Sequence, residues 1–167
     1  YNRNQFSFYL VGGAVRDFIL DINTKDFDFT TNASPEESKQ LLENNNYKTT
    51  DIGIKFGTIE TTFNDFTVHI TQFRNESYSE DSRKPNIEKS RNIDDDLIRR
   101  DFTINSIAFD IDKNELIDPY NGLKDLSEGK LKSPNNPDQS FSEDPLRMIR
   151  LCRFISSHGF TPDTETF

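Results

Sequence analysis

The sequence predicts an α+β domain, and three local patterns predict it. Phe6 to Val11 is mostly apolar and runs into Gly12-Gly13 ahead of the helix-like stretch Ala14 to Leu20, so strand, glycine turn and helix follow in succession. Asp26-Phe27-Asp28-Phe29-Thr30 alternates acid and aromatic with the period of two that sends the acids to one face of a strand and the rings to the other. Ser34-Pro35-Glu36-Glu37 is a helix start, with serine as N-cap, proline at the first helical position and glutamate three residues after the cap.

At 167 residues the chain has the size of one domain with at most a small appendage. Apolar residues make up 32% and charged residues 29%, which implies a thin core and a wet surface. Fifteen Phe and five Tyr supply large buried areas that a disordered polar chain lacks, so a folded protein is expected. Twenty basic against 29 acidic residues give a net charge of -9, the wrong sign for holding a phosphate backbone by bulk attraction. A nucleic-acid partner then requires local sites or a further region. The lone Cys152 excludes an internal disulfide, and no segment approaches the roughly 20 apolar residues of a membrane span. A cytoplasmic protein without a membrane partner is expected, and the start at Tyr1 leaves a trimmed chain or a fragment open.

The helix begun at Pro35 runs to the Asn44-Asn45-Asn46 stop. Thr58 to Phe63 and Phe66 to Phe73 read as strands of a hairpin across Asn64-Asp65. Asn75 to Asn92, charged and without period, reads as a mobile loop. Asp94 to Ile107 reads as short helical turns, Ala108 to Ile111 as a strand, and Leu116-Ile117-Asp118 as its partner across a Lys113-Asn114 turn. Ser133 to Ser140 reads as a polar loop, and a single helix is expected from Ser142 to about His158-Gly159.

The chemistry concentrates in two places. Glycines at Gly12-Gly13 allow backbone N–H groups to approach a phosphate closely beside a helix N-terminus. Asp26 and Asp28 on one strand face form a hard oxygen site for Mg²⁺, which takes one or two carboxylates plus substrate phosphate oxygens. A triphosphate and a pair of ions fit between them, the arrangement for in-line displacement of pyrophosphate by a hydroxyl. Taken singly, Gly-Gly also makes a plain tight turn and Asp-x-Asp also serves a solvated strand edge; the combination carries the signal. Asp21 and Asn23 begin a calcium-loop spacing, but Lys25 stands at its third ligand position.

Five motifs resemble one family in the same order: LVGGAVRD at 10–17, DFDFTT at 26–31, RRDFTINSIAFD at 99–110, DPYNG at 118–122 and EDPLRMIRLCRF at 143–154. They resemble the head domain of the bacterial-type (class II) tRNA nucleotidyltransferases, the CCA-adding enzymes, whose relatives include bacterial poly(A) polymerases. The resemblance implies a nucleotidyltransferase palm, a mixed sheet flanked by helices, over residues 1–141, with residues 142–167 opening an all-helical neck that carries the base-recognition helix. It implies a tRNA 3′ end as partner, held mainly by helical domains absent from this chain, with CTP and ATP as substrates and a two-ion Mg²⁺ site.

On the matching positions, Gly12, Gly13 and Arg16 are expected to cradle the triphosphate, and Asp26 and Asp28 to hold the catalytic Mg²⁺. Arg100 is expected at the nucleotide, Asp101 at the ribose hydroxyl, with Asn105 supporting the turn. Asp144 and Arg147 are expected at the base edge, where a carboxylate accepts from an exocyclic amine and a guanidinium donates to ring nitrogens or a carbonyl. Arg150 and Arg153 are implied as further nucleotide contacts. Helical geometry puts Arg153 roughly opposite Asp144, where a salt bridge serves equally well.

Other residues have plainer readings. Lys55-Phe56-Gly57-Thr58 is expected to be structural, and Asp94-Asp95-Asp96 is a helix-start charge cluster in which Asp96 is placed to orient Arg99 or Arg100. His69 reads as a packed strand residue, and Cys152 as part of the core face of the last helix. GIKFGTIETTFNDFTVHITQF stands where bacterial poly(A) polymerases carry G-R-R-F-x-x-x-H, which favours tRNA end addition over poly(A) synthesis. CC-only and A-only addition stay open, as does an inactive nucleotide-binding fragment.

Overall fold

The computed structural model describes residues 6–51, 53–79, 82–90 and 92–166. In chain order its elements are β1 (Phe8–Val11), α1 (Gly13–Ile19), β2 (Asp26–Thr31), α2 (Pro35–Asn44), β3 (Thr49–Thr50), β4 (Thr58–Phe63), β5 (Phe66–Gln72), β6 (Arg74–Ser79), β7 (Ser82–Lys89), α3 (Ile93–Ile98), β8 (Ala108–Asp110), β9 (Glu115–Ile117), α4 (Gly122–Ser127), β10 (Lys130–Leu131), α5 (Pro137–Glu143), α6 (Leu146–His158) and β11 (Thr161–Pro162). Short 3₁₀ turns lie at Ile54–Phe56 and Thr103–Asn105.

Seven strands form one sheet in the order β3-β4-β5-β2-β1-β8-β9. All its pairs are antiparallel except β2 with β5, which run parallel because α2, β3 and β4 intervene as the crossover that parallel neighbours need. The sheet is therefore mixed and flanked by helices, as expected of an α+β palm. The alternation in β2 sorts its side chains as read: Asp26 and Asp28 are exposed on one face, while Phe29 stacks on Phe8 at 4.6 Å and Phe27 meets Phe66 edge-on at 5.4 Å behind them. Helix α2 covers that apolar face by packing on β4 and β5. It is held by the reciprocal cap expected at its start, the Glu37 N–H donating to the Ser34 Oγ and the Ser34 N–H to the Glu37 carboxylate.

The Asn64-Asp65 hairpin forms with Asn64 at φ 52°, a left-handed conformation that asparagine tolerates. Asp118 of the DPYNG stretch accepts from the N–H groups of Gly122 and Leu123 and so starts α4. At Gly122 a Cβ would lie 2.2 Å from the Thr103 carbonyl oxygen, so glycine is what lets α4 dock on the turn at 103–105. That docking closes a core of Phe102, Ile104, Leu126, Leu131, Leu151, Phe154 and Phe160. A second cluster, Val11, Leu97 and Ala108, joins the sheet to α3.

Four readings are corrected. The segment read as a mobile loop at 75–92 forms an antiparallel ribbon of β6 on β7 where it is described, because inter-strand backbone pairing needs no apolar period. The polar stretch 133–140 already contains the start of α5, since Asn136-Pro137 is an N-cap followed by proline at N1. The single helix from Ser142 is two: Asp144 adopts extended backbone (φ -139°, ψ 95°), the conformation imposed on a residue before proline, and α6 restarts beyond Pro145. Cys152 is exposed, because Arg147, Leu151 and Phe154 are the buried side of α6.

Candidate active site

Strand β1 ends beside β2, and the chain turns there at Gly12 with φ 69° and ψ -138°, a conformation open to glycine. A Cβ at Gly12 would stand 2.8 Å from the Arg100 Nη1 and 4.0 Å from the Asp28 Oδ2. The glycine therefore allows an arginine and a strand carboxylate to converge on one bare backbone turn.

Arg100 reaches that point because Asp96 holds it. Asp96 is fully buried in α3 and accepts from Arg100 Nη2 at 2.8 Å and from Arg99 Nη2 at 2.7 Å, so one carboxylate fixes both arginines of the RRD motif. Burial raises its pKa, but the Arg100 and Arg99 guanidinium charges and their hydrogen bonds win, and the carboxyl is held below its ordinary range. Arg100 keeps a buried Nε that finds no hydrogen-bond partner among the described residues.

Asp101 begins the next turn. Its Oδ1 accepts from the Phe102 N–H at 2.8 Å and from Asn105 Nδ2 at 2.9 Å, and its Oδ2 accepts from Arg150 Nε at 2.6 Å. The Asn105 Oδ1 accepts in turn from Arg16 Nη1 at 2.6 Å. Arg16 also donates through Nε and Nη2 to Asp17 and lies 5.1 Å from the centre of the Phe154 ring, a cation–π contact that ties α1 to α6.

Helix α6 supplies the far wall. The Asp144 Oδ1 accepts from the Leu146 N–H, capping the helix from outside it. Arg147 is buried, with Nη1 donating to the Ser140 Oγ and Nη2 to the Arg99 carbonyl, which leaves its remaining N–H groups unassigned by these contacts.

These groups line one cleft of about 500 Å³. Gly12, Gly13, Arg16, Asp28, Arg100, Asp101, Asp144, Arg147, Arg150 and Arg153 all border it. Asp26 does not border it, although it shares the face of β2 with Asp28. Arg153 joins Asp144 at the cleft because Asp144 precedes the helix, so the helical angle between them does not apply. Sequence reasoning placed neither Arg74 nor Phe154 nor His158 at this wall, and it left Arg99 outside the site. Arg74 gets there from the start of β6, with Nη1 on the Phe56 carbonyl of the 55–58 turn. Seven of the chain's ten arginines thus face three aspartates in the cleft of a protein whose net charge is -9. The basic surface is local, and arginine's planar fork suits phosphate oxygens.

His69 is the other revision. The β2–β5 and β4–β5 registers set Asp28, His69 and Glu60 abreast, and the half-exposed ring stands with Nδ1 3.4 Å from Asp28 and Nε2 3.2 Å from Glu60. It is a polar neighbour of the Asp26/Asp28 face rather than a packed one. The cross-strand register, which the sequence alone does not supply, carries that signal. Among the described residues no three His, Cys, Asp or Glu side chains are grouped to hold a metal ion. Two same-face carboxylates beside a phosphate-sized basic cleft still fit Mg²⁺, whose other ligands come from substrate and water.

The family model for the poly(A) polymerase head domain matches residues 8–132. The CCA-adding enzyme of Ligilactobacillus salivarius is 42% identical over 163 residues, covering 97% of this chain and 39% of its own, and that of Enterococcus faecalis is 40% identical over 166 residues, covering 99% and 40%. The chain thus spans about two fifths of the length of these curated relatives. The crystal structure of the Bacillus stearothermophilus CCA-adding enzyme in complex with CTP superposes with a TM-score of 0.85 at 33% identity, over 99% of this chain and 38% of that one. A tRNA nucleotidyltransferase complexed with a primer tRNA and an incoming ATP analogue superposes with a TM-score of 0.79 at 28% identity, over 99% and 46%. Among the described residues no helix is long and apolar enough to cross a membrane. The matched span takes in all seven strands of the main sheet and the RRD turn that closes the cleft, and the chain belongs to the family of poly(A) polymerase head domains.

Proposed function

We propose that this chain is the catalytic portion of a template-independent nucleotidyltransferase that adds CMP and AMP to the 3′ end of tRNA, with residues 1–141 as its head and residues 142–167 as the opening of a helical neck. The observation that carries the reading is the cleft itself, seven arginines and three aspartates on about 500 Å³, of which Asp28 shares its strand face with Asp26. The names of its relatives support it, since those matched at 40–42% identity are CCA-adding enzymes. The longer enzyme of which such a head is part would hold the tRNA through its helical domains, in the cytoplasm.

In this reading Gly12, Gly13, Arg16 and Arg100 hold the triphosphate, and Asp101 accepts from the ribose 2′-hydroxyl. Asp144 accepts from the exocyclic amine of cytosine or adenine, and Arg147 donates to the ring with the N–H groups that Ser140 and Arg99 leave over. Arg150 and Arg153 add nucleotide contacts from the same helix. Asp26 and Asp28 are the residues that would hold Mg²⁺, which when bound would supply charge neutralisation at the phosphates and activation of the attacking hydroxyl. The primer's 3′-oxygen then forms a bond to the α-phosphorus as the bond to pyrophosphate breaks, and the hydroxyl proton leaves to solvent.

Incubating the longer enzyme that carries this head with a tRNA transcript that lacks its last three nucleotides tests this. Two CMP additions followed by one AMP addition are expected when CTP and ATP are present together. Addition of C residues alone or of a single A would restrict the reading to a CC-only or A-only enzyme, and a run of A residues would replace it with poly(A) synthesis. No addition by a chain that still binds CTP would mark a nucleotide-binding fragment.

A further inference from the structure

We propose that Asn105 is a positioning residue that couples the triphosphate end of the cleft to its sugar end, so that the ribose 2′-hydroxyl is read more stringently when the triphosphate is in place. The inference rests on the nucleotide-binding reading above and deepens it by giving a role to a residue that the sequence assigned only to a turn.

Asn105 is 4% exposed and uses both ends of its carboxamide: Oδ1 accepts from Arg16 Nη1 at 2.6 Å and Nδ2 donates to Asp101 Oδ1 at 2.9 Å. Chemistry allows this orientation alone. Arginine has no acceptor and an ionised carboxylate has no donor, so the flipped amide would set N–H against guanidinium and oxygen against oxygen. The partners are anchored on their far sides as well. Arg16 is held by Asp17 and lies against Phe154, and Asp101 is held by the Phe102 N–H and by Arg150.

Asp17, Arg16, Asn105, Asp101 and Arg150 therefore form one hydrogen-bonded chain across the cleft from α1 to α6, with Asn105 as its middle joint. A phosphate that draws Arg16 toward itself shifts the guanidinium against which the Asn105 oxygen rests. The amide transmits that shift to the carboxylate that faces the sugar. In this partly buried setting the low local dielectric makes each such bond count for more than it does in water. A residue that merely braced its turn would hold Asp101 equally well with or without a triphosphate.

The test is a set of calorimetric affinities for CTP, dCTP, CMP and dCMP in Mg²⁺. In the wild-type protein the loss on removing the 2′-hydroxyl is expected to be at least about fivefold larger for the triphosphate than for the monophosphate, the lower end of ordinary coupling between sites. Asn105→Ala is expected to bring the two losses within about twofold of each other. Asn105→Asp keeps an acceptor for Arg16 but opposes Asp101 with a second carboxylate, and is expected to retain CTP binding while losing ribose discrimination. Equal losses for triphosphate and monophosphate in the wild type overturn the inference without any variant, so a failure of Asn105→Ala to fold leaves it decided. Undiminished coupling in folded Asn105→Ala overturns it too. If the wild type binds none of the four nucleotides, the nucleotide-site reading itself fails and takes the inference with it.

Discussion

Asp26→Asn and Asp28→Asn are each expected to lower metal-dependent nucleotide transfer at least about a hundredfold, the consequence of losing several kcal/mol of charge stabilisation at the reacting phosphate. Both carboxylates are exposed on their face of β2, so neither substitution disturbs the core and each is expected to leave stability within about 0.5 kcal/mol of the parent. The separation of the two effects is the point of the experiment. A chain that unfolds at its normal temperature, binds Mn²⁺ weakly and no longer transfers nucleotide has lost a metal site. Wild-type transfer by either variant, measured on the same tRNA transcript, would remove Asp26 and Asp28 from the chemistry. The Asp28 variant is the more informative, because Asp28 borders the cleft and stands beside His69 whereas Asp26 lies outside the lining.

Asp96→Ala is expected to be the most destabilising single change at the site, by about 3–5 kcal/mol, because it removes a fully buried carboxylate that two guanidinium groups share and leaves the Arg100 charge beside it uncompensated. Denaturant unfolding reads this directly. Nucleotide affinity falls with it, since Arg100 is no longer held against Gly12. The pH dependence follows from the lowered pKa of Asp96. The folded protein releases this proton more readily than the unfolded chain, so the stabilisation is fully present above the unfolded carboxyl value, near 3.8, and is lost as pH falls through the lower folded value. Wild-type stability should therefore drop in acid below about pH 4, and Asp96→Asn, unable to titrate, should lose that part of the acid slope. An Asp96 variant as stable as the parent would mean that the buried carboxylate contributes nothing to holding Arg100 in place.

Much of this was legible in the residues. The period-two alternation of Asp26 to Thr30 sorts acids from rings because strand geometry leaves no other choice, and the cap at Ser34 states its helix in four residues. Arg150 and Arg153 of α6 were implied by the family motif, whereas helical geometry counted from Asp144 left Arg153 open to a salt bridge, because Asp144 stands before the helix and not within it. What escaped depends on partners far away in sequence. His69 is set beside Asp28 by register across two strands, and Arg74 reaches the cleft through the 55–58 turn. Arg147, expected at the base edge, is a clasp in the fold, joining α6 to α5 and to the end of α3 through Ser140 and the Arg99 carbonyl. The break before Pro145 was readable from the proline, but the helical period of the following residues masked it.

The central claim is that side chains of this cleft, in place of a nucleic-acid template, choose the incoming nucleotide. Calorimetric titration of the chain with CTP, ATP, GTP and UTP in Mg²⁺ tests it most directly, because it asks the cleft alone and needs no tRNA. Binding of CTP and ATP with GTP and UTP at least about tenfold weaker is the predicted result, since a carboxylate at Asp144 rewards the exocyclic amine at cytosine C4 or adenine C6, positions where uracil and guanine carry a carbonyl oxygen. Equal binding of all four nucleotides would contradict the claim and leave the cleft as a triphosphate site that does not read the base.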